Sequence, residues 1–219
     1  QSRGLGDVYK RQIFNKENAA TTVASTISIA SKFQIRFFAT GGIGGVHLNA
    51  ENTNDVSADL YALSENSNFV ICSGAKSILD LSKTNELLET LGITRIGYQT
   101  NYMPGFWYEE TENKVDNKFD EIHEISSFLK LNENMGNKKS ILIFNKVPLE
   151  KALNKNDVEK WINNATIKAD RNNISGKELT PFLIKEINEQ SKNETLNANV
   201  SLIINNANLA GKIAKSFYS

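Results

Sequence analysis

Three stretches concentrate the residue types that can do chemistry. "SGAKS" sets Ser73 and Lys76 directly after an apolar run, Phe69, Val70, Ile71 and Cys72. "ATGGIGGVH" packs four glycines around Ile43 and ends on His47. "HLNAENTNDVSAD" then brings His47, Glu51, Asp55, Ser57 and Asp59 close together. A lysine at the mouth of a buried strand is either a solvated turn residue or a chemical group. A phosphate-binding Walker loop needs Gly-Lys-Ser/Thr, and Ala75 interrupts that pattern here. Ser73-x-x-Lys76 matches a serine-nucleophile pattern, but no Lys-Thr-Gly follows. A third chemical reading is imine formation, since desolvation favours a neutral amine, nucleophilic toward a sugar carbonyl; on these residues alone a solvated surface lysine stands beside it.

The other stretches carry paired readings. Glycines after a strand let a ligand approach backbone N–H groups, or simply make a tight turn. The dinucleotide fingerprint fails, because Gly42-x-Gly44-x-x leads to His47. The carboxylates and hydroxyls of 47–59 suit a hard cation such as Mg or Mn. Asp55 also reads as a helix N-cap, with Ser57 and Asp59 in the first turn. Cys72 reads as a small buried strand residue. The aromatic segment "YMPGFWYEE" (102–110) reads as a shield over a site or as packing, and His123 as a solvated helix residue.

Something must hold these loops in place. Residues 33–40, 68–73, 93–99 and 137–148 read as strands, continuous in apolar character rather than alternating. Helical patterns lie at 18–31, 55–66, 77–92, 119–134, 154–173, 176–191 and 196–218. Asn18 or Thr21 starts the first, Gly92 closes the third, and Pro181 stands near the start of the sixth with Phe182, Leu183 and Ile187 as its stripe. Apolar strands alternating with helices predict a three-layer α/β fold, a mainly parallel sheet flanked by helices. In such sheets ligands sit beyond the carboxyl ends of the strands, where the glycine and lysine loops fall.

Composition sets the outer bounds. The chain has 219 residues, 40% of them hydrophobic, enough for one core. Lys plus Arg and Asp plus Glu number 25 each, so no basic field points to nucleic acid or a membrane surface. No apolar run has the length of a membrane span. A single cysteine excludes an intramolecular disulfide framework and points to a reducing, cytoplasmic compartment. Residues 1–12, "QSRGLGDVYKRQ", share no period with the rest of the chain and read as a non-native, adapter-derived segment, leaving 13–219 as the domain.

In order along the chain, "NAATTVAST", "FFATGGIGGVH", "DVSADL", "GAKSILD", "LLETLGI", "IGYQT", "GKELTPFL" and "NNANLA" resemble the pseudouridine-5′-phosphate glycosidase family. The resemblance runs over about residues 15–217. It implies reversible cleavage of a C–C glycosidic bond, converting pseudouridine 5′-phosphate to uracil and ribose 5-phosphate, in a manganese-dependent homotrimer. It puts the imine-forming lysine at Lys76 and the metal aspartate at Asp55. Substrate contacts fall on Val23, Ser57, Ala58, Asp59 and Asn199, with Thr40 and His47 lining the same pocket. It also implies a proton-donating glutamate in an "ESTIISHG"-like segment, which this sequence does not contain. The expectation is therefore a C-terminal portion of one glycosidase domain, incomplete at its N-terminus and inactive alone. Leu48-Asn49 departs from the family's Arg-Gly after the histidine. The alternative, of a different class, is a non-catalytic phosphosugar- or nucleotide-binding domain that uses the glycine loop.

Overall fold

The computed structural model describes residues 14–16 and 21–219. The adapter reading of 1–12, the domain start at 13 and the Asn18 cap lie outside the described residues. The elements run α1 (Val23–Lys32), β1 (Phe37–Ala39), α2 (Ala50–Thr53), α3 (Ala58–Glu65), β2 (Phe69–Cys72), α4 (Leu81–Thr90), β3 (Thr94–Tyr98), β4 (Asn117–Phe119), α5 (Ile122–Asn134), β5 (Ile141–Phe144), α6 (Lys155–Arg171), α7 (Leu179–Gln190) and α8 (Glu194–Tyr218). The strands form one sheet in the order β1-β2-β5-β3-β4, and every pairing is parallel.

The continuous apolar runs have a direct cause. Successive side chains of a strand point to opposite faces, so a strand covered on both sides must be apolar at every position. Phe69 and Ile71 of β2, with Ile141 and Ile143 of β5, face a core closed by Ile125 and Leu129 of α5 and Leu209, Ile213 and Phe217 of α8. Val70, Cys72, Leu142 and Phe144 face the other way, toward Ile27 of α1, Leu60 and Leu63 of α3, Leu88 of α4, Val158 of α6 and Ile187 of α7. This is the three-layer arrangement expected. Burying each such aliphatic side chain contributes about 1.5–3 kcal/mol.

Several boundaries differ from the sequence reading. The strand expected over 33–40 is only Phe37–Ala39, because Phe33 caps α1 and Gln34 adopts φ +57°. Helix α1 is capped by Thr22, whose hydroxyl accepts from Ser25 N. Asp55 is not the cap of α3; Ser57, two residues later, is, accepting from Asp59 N, and the helix begins at Ala58. Strand β4 and the single turn α2 were not expected. Strand β4 is an edge strand of "NKF" without an apolar run; Asp116 just before it accepts from the backbone N–H and the guanidinium of Arg95 in β3. Gly92 does close α4, at φ +64°, with its N–H donating to Glu89 O.

Candidate active site

The loops leaving β1 and β2 continue the parallel pairing of their strands beyond the sheet. Ser73 N donates to Gly41 O (2.9 Å), Ile43 N to Gly74 O (3.1 Å) and Lys76 N to Ile43 O (3.1 Å). Lys76 thus stands beyond the carboxyl end of an interior strand on a backbone held along its length. Its side chain is half-buried, and among the described residues no hydrogen bond or ion pair engages its ammonium. Gly74 has φ +85°, and a Cβ there would come within 2.2 Å of Pro104 O, so the turn into the lysine loop requires glycine.

The glycine loop is shaped by the protein's own side chains. A Cβ on Gly44 would lie 2.1 Å from Ser57 Oγ, and one on Gly45 would lie 2.4 Å from Thr84 Oγ1. Gly42 lies under the ring of Phe106, where a Cβ would come within 2.7 Å. Close approach is therefore needed here, by the 57–59 segment, helix α4 and the aromatic loop. Asp59, 6% exposed, accounts for the first of these. One carboxylate oxygen accepts from Ala24 N (2.8 Å) and the other from Gly44 N (2.7 Å), tying α1, the glycine loop and α3 together.

His47 and Asp55 face each other across a short antiparallel crossing. His47 N donates to Asp55 O (3.0 Å), and Nδ1 lies 3.9 Å from Asp55 Oδ2, both side chains half-buried. Glu51 turns away to pair with Lys83 (2.8 Å). Among the described residues no group of three or more His, Cys, Asp or Glu side chains could hold a metal. The donor set suits a hard cation that takes one carboxylate and fills its remaining positions with water or ligand oxygens, not a closed protein cage.

The aromatic segment closes another side. Met103, Phe106, Trp107 and Tyr108 are buried, so it packs as well as covers. Ser77 Oγ, next to Lys76, donates to Gly105 O (2.6 Å), and Trp107 Nε1 donates to Asn199 Oδ1 on α8 (2.7 Å). A groove of about 410 Å³ between this segment, α4 and α6 is lined by Ser77 and Tyr108 but not by Lys76 or Asp55. The convergent polar chemistry lies at the strand ends, and the groove is neighbouring surface.

The sequence matches the family model for indigoidine synthase A like proteins over residues 3–216. The pseudouridine-5′-phosphate glycosidases of Petrotoga mobilis and Kosmotoga olearia are 47% and 45% identical over 200 and 199 residues, 91% of this chain in each case. The chain belongs to this family. It spans 65% and 68% of the lengths of those two proteins, about two thirds. The Escherichia coli pseudouridine-5′-phosphate glycosidase is 41% identical over 201 residues, covering 92% of this chain and 64% of its own length. Among solved structures, the prealnumycin C-glycosynthase AlnA in complex with ribulose 5-phosphate superposes with a TM-score of 0.90 at 31% identity, over 98% of this chain and 70% of its own. An indigoidine synthase A-like protein of Thermotoga maritima gives 0.83 at 34% identity, over 94% and 68%.

Most of the positions that the family resemblance marks share one end of the sheet. Thr40 begins the loop after β1, and Lys76 lies midway along the loop after β2. His47, Asp55, Ser57, Ala58 and Asp59 form the crossing and the start of α3. Val23 opens α1 beside Ala24, which Asp59 holds. Asn199 lies on α8 and reaches the group through Trp107. The arrangement gives Ser57 and Asp59 supporting bonds of their own: Ser57 caps α3, and Asp59 spends both oxygens on backbone N–H groups. Sequence reasoning missed Asn206, fully buried on α8, and its neighbour Asn145 after β5. The available signal was a polar residue in phase with the apolar stripe Leu202, Leu209 and Ile213.

Proposed function

We propose that this chain carries the imine-forming half of a pseudouridine-5′-phosphate glycosidase. The observation that carries the reading is Lys76: a half-buried ammonium with no side-chain partner among the described residues, on a loop zipped to the glycine loop beyond a strand end. Its amine adds to C1′ of the ribose as the C1′–O4′ bond breaks and O4′ takes a proton. The nitrogen lone pair then drives scission of the C1′–C5 bond, and the uracil carbon takes a proton from an acid. Water hydrolyses the remaining Lys76 imine to ribose 5-phosphate and the free amine. A carbon leaving group is poor, so an electron-donating nitrogen on C1′, with protonation of the departing carbon, serves where paired carboxylates serve other glycosidases.

In this reading Asn199, Thr40, Val23 and the Ser57–Ala58–Asp59 turn contact or border the substrate. Asp55, with His47 beside it, holds manganese, whose charge would orient and neutralise substrate oxygens. The proton donor belongs to the "ESTIISHG"-like segment, absent from residues 1–219, so this chain is expected to form the imine with ribose 5-phosphate but not to release uracil from pseudouridine 5′-phosphate. The reading includes a cytoplasmic homotrimer. The names of the relatives support the glycosidase part of the reading, as does the ribulose 5-phosphate bound by the AlnA neighbour.

The test is borohydride trapping of the chain with ribose 5-phosphate, followed by peptide mapping. The expected result is one reduced adduct on Lys76, absent in Lys76→Met. Saturable binding of ribose 5-phosphate without any trapped adduct would sink the imine reading in favour of a non-catalytic phosphosugar-binding domain.

A further inference from the structure

One fully buried polar group joins the loops at their roots. Asn206 is 0% exposed, on the face of α8 that otherwise packs Leu202, Leu209 and Ile213 into the core. Its Nδ2 donates to Thr40 O (2.9 Å) and to Ser73 Oγ (3.0 Å), and stands 3.4 Å from Gly41 O. Its Oδ1 accepts from Asn145 Nδ2 (3.0 Å). One carboxamide thus touches the residues that follow β1, β2 and β5, three neighbouring strands. Leaving such a group buried without partners costs about 1–3 kcal/mol, so its retention on an apolar stripe calls for a role.

That role lies immediately downstream. Ser73 is three residues before Lys76, and Gly41 O, beside Asn206, accepts from Ser73 N. The bonds from Ile43 to Gly74 and from Lys76 to Ile43 then carry that register to the lysine. Asn199 sits seven residues earlier on the same helix, two turns away. Helix α8 therefore sets the root of the lysine loop with one asparagine and presents another at the rim.

We propose that Asn206 is a positioning residue for Lys76: it fixes where the lysine loop leaves the sheet, and through that the placement of the amine against C1′. The inference rests on the imine reading above. Amide-to-acid replacement is nearly isosteric and puts oxygen where Nδ2 faces Thr40 O and Ser73 Oγ, removing the donors. Ser73→Ala removes a single partner and leaves Asn206 otherwise bonded.

The experiment is borohydride trapping of the whole chain across ribose 5-phosphate concentrations, with thermal unfolding recorded on each protein. In Asn206→Asp the maximal trapping rate is expected to fall about tenfold, and in Ser73→Ala about threefold, with half-saturating sugar concentration nearly unchanged. Lost packing alone would lower the melting temperature without this split. If Asn206→Asp does not fold, Ser73→Ala decides alone. A maximal rate equal to the parent's in a folded Ser73→Ala or Asn206→Asp, or a change confined to half-saturation, overturns the proposal while leaving the imine reading intact. Failure of the parent chain to trap at Lys76 overturns both.

Discussion

The indole Nε1 of Trp107 donates a 2.7 Å hydrogen bond to Oδ1 of Asn199. An indole N–H can only donate, so the bond decides which end of the carboxamide is taken. Asn199 is left with its amino group to offer a ligand, and so suits an acceptor such as a carbonyl or phosphate oxygen. Trp107→Phe keeps much of the ring packing and frees that amide to turn. Affinity for ribose 5-phosphate, measured by titration calorimetry, is expected to fall about tenfold. An unchanged affinity would separate Asn199 from the bound ligand.

Asp59 is expected to act on stability as well as on the site. Asp59→Asn presents an amide N–H to a backbone N–H that now donates to carboxylate, at Ala24 or at Gly44. Urea denaturation should show a loss of about 1–3 kcal/mol. A variant as stable as the parent would mean that neither bond matters to folding.

Gly44→Ala tests the close approach between the glycine loop and α3. The added carbon would meet Ser57 Oγ at 2.1 Å and Asp59 Oδ2 at 2.8 Å, both on a helix start with little freedom to move. The expected cost is about 1–3 kcal/mol in urea midpoint terms. Gly136→Ala, at φ +73° with open space around it, tests backbone strain without crowding and is expected to leave sugar trapping unchanged.

Alkaline conditions should destabilise the chain through two buried acids. Burial pushes the Cys72 thiol up from 9.0 to about 12. Burial, then the charges of Glu159 and Glu112, push the Tyr108 phenol up from 10.0 to about 12. Between those limits the unfolded chain has released protons that the folded chain keeps, so the unfolded state binds fewer and stability falls as pH rises. Each group contributes a slope of about 1.4 kcal/mol per pH unit in its window. Unfolding free energy is expected to hold up to about pH 9 and then decline, less steeply in Cys72→Ala. A flat profile through that window would contradict the burial of both groups.

Much of this architecture was legible because burial on two faces leaves a plain mark. The runs at Phe69–Cys72 and Ile141–Phe144 are apolar at every position, and they are β2 and β5, two of the three interior strands; the third, β3, carries Thr94 and Arg95. Edge strand β4 leaves no such mark, since its burden is backbone pairing and its side chains are largely exposed. The cap of α3 was misassigned to Asp55 because Asp and Ser both cap well and only geometry chooses between them. The lysine and glycine loops were located from strand ends alone. The bonds that hold them were not: Asp59 and Asn206 reach across 35 and 166 residues to Ala24 and Thr40. An asparagine-rich helix gives little hint of which amide faces inward until the helical phase of its apolar stripe is traced.

The crowding around Gly42, Gly44 and Gly45 divides the scaffold into a part that can be retuned and a part that cannot. Those positions are already filled from behind by Phe106, Ser57, Asp59 and Thr84, so no larger residue can be written there to reshape the cleft. Any change in what the strand-end loops admit must therefore come from side chains outside this glycine floor. An engineer would treat the glycine floor as fixed tooling and look for exchangeable parts elsewhere on the loops.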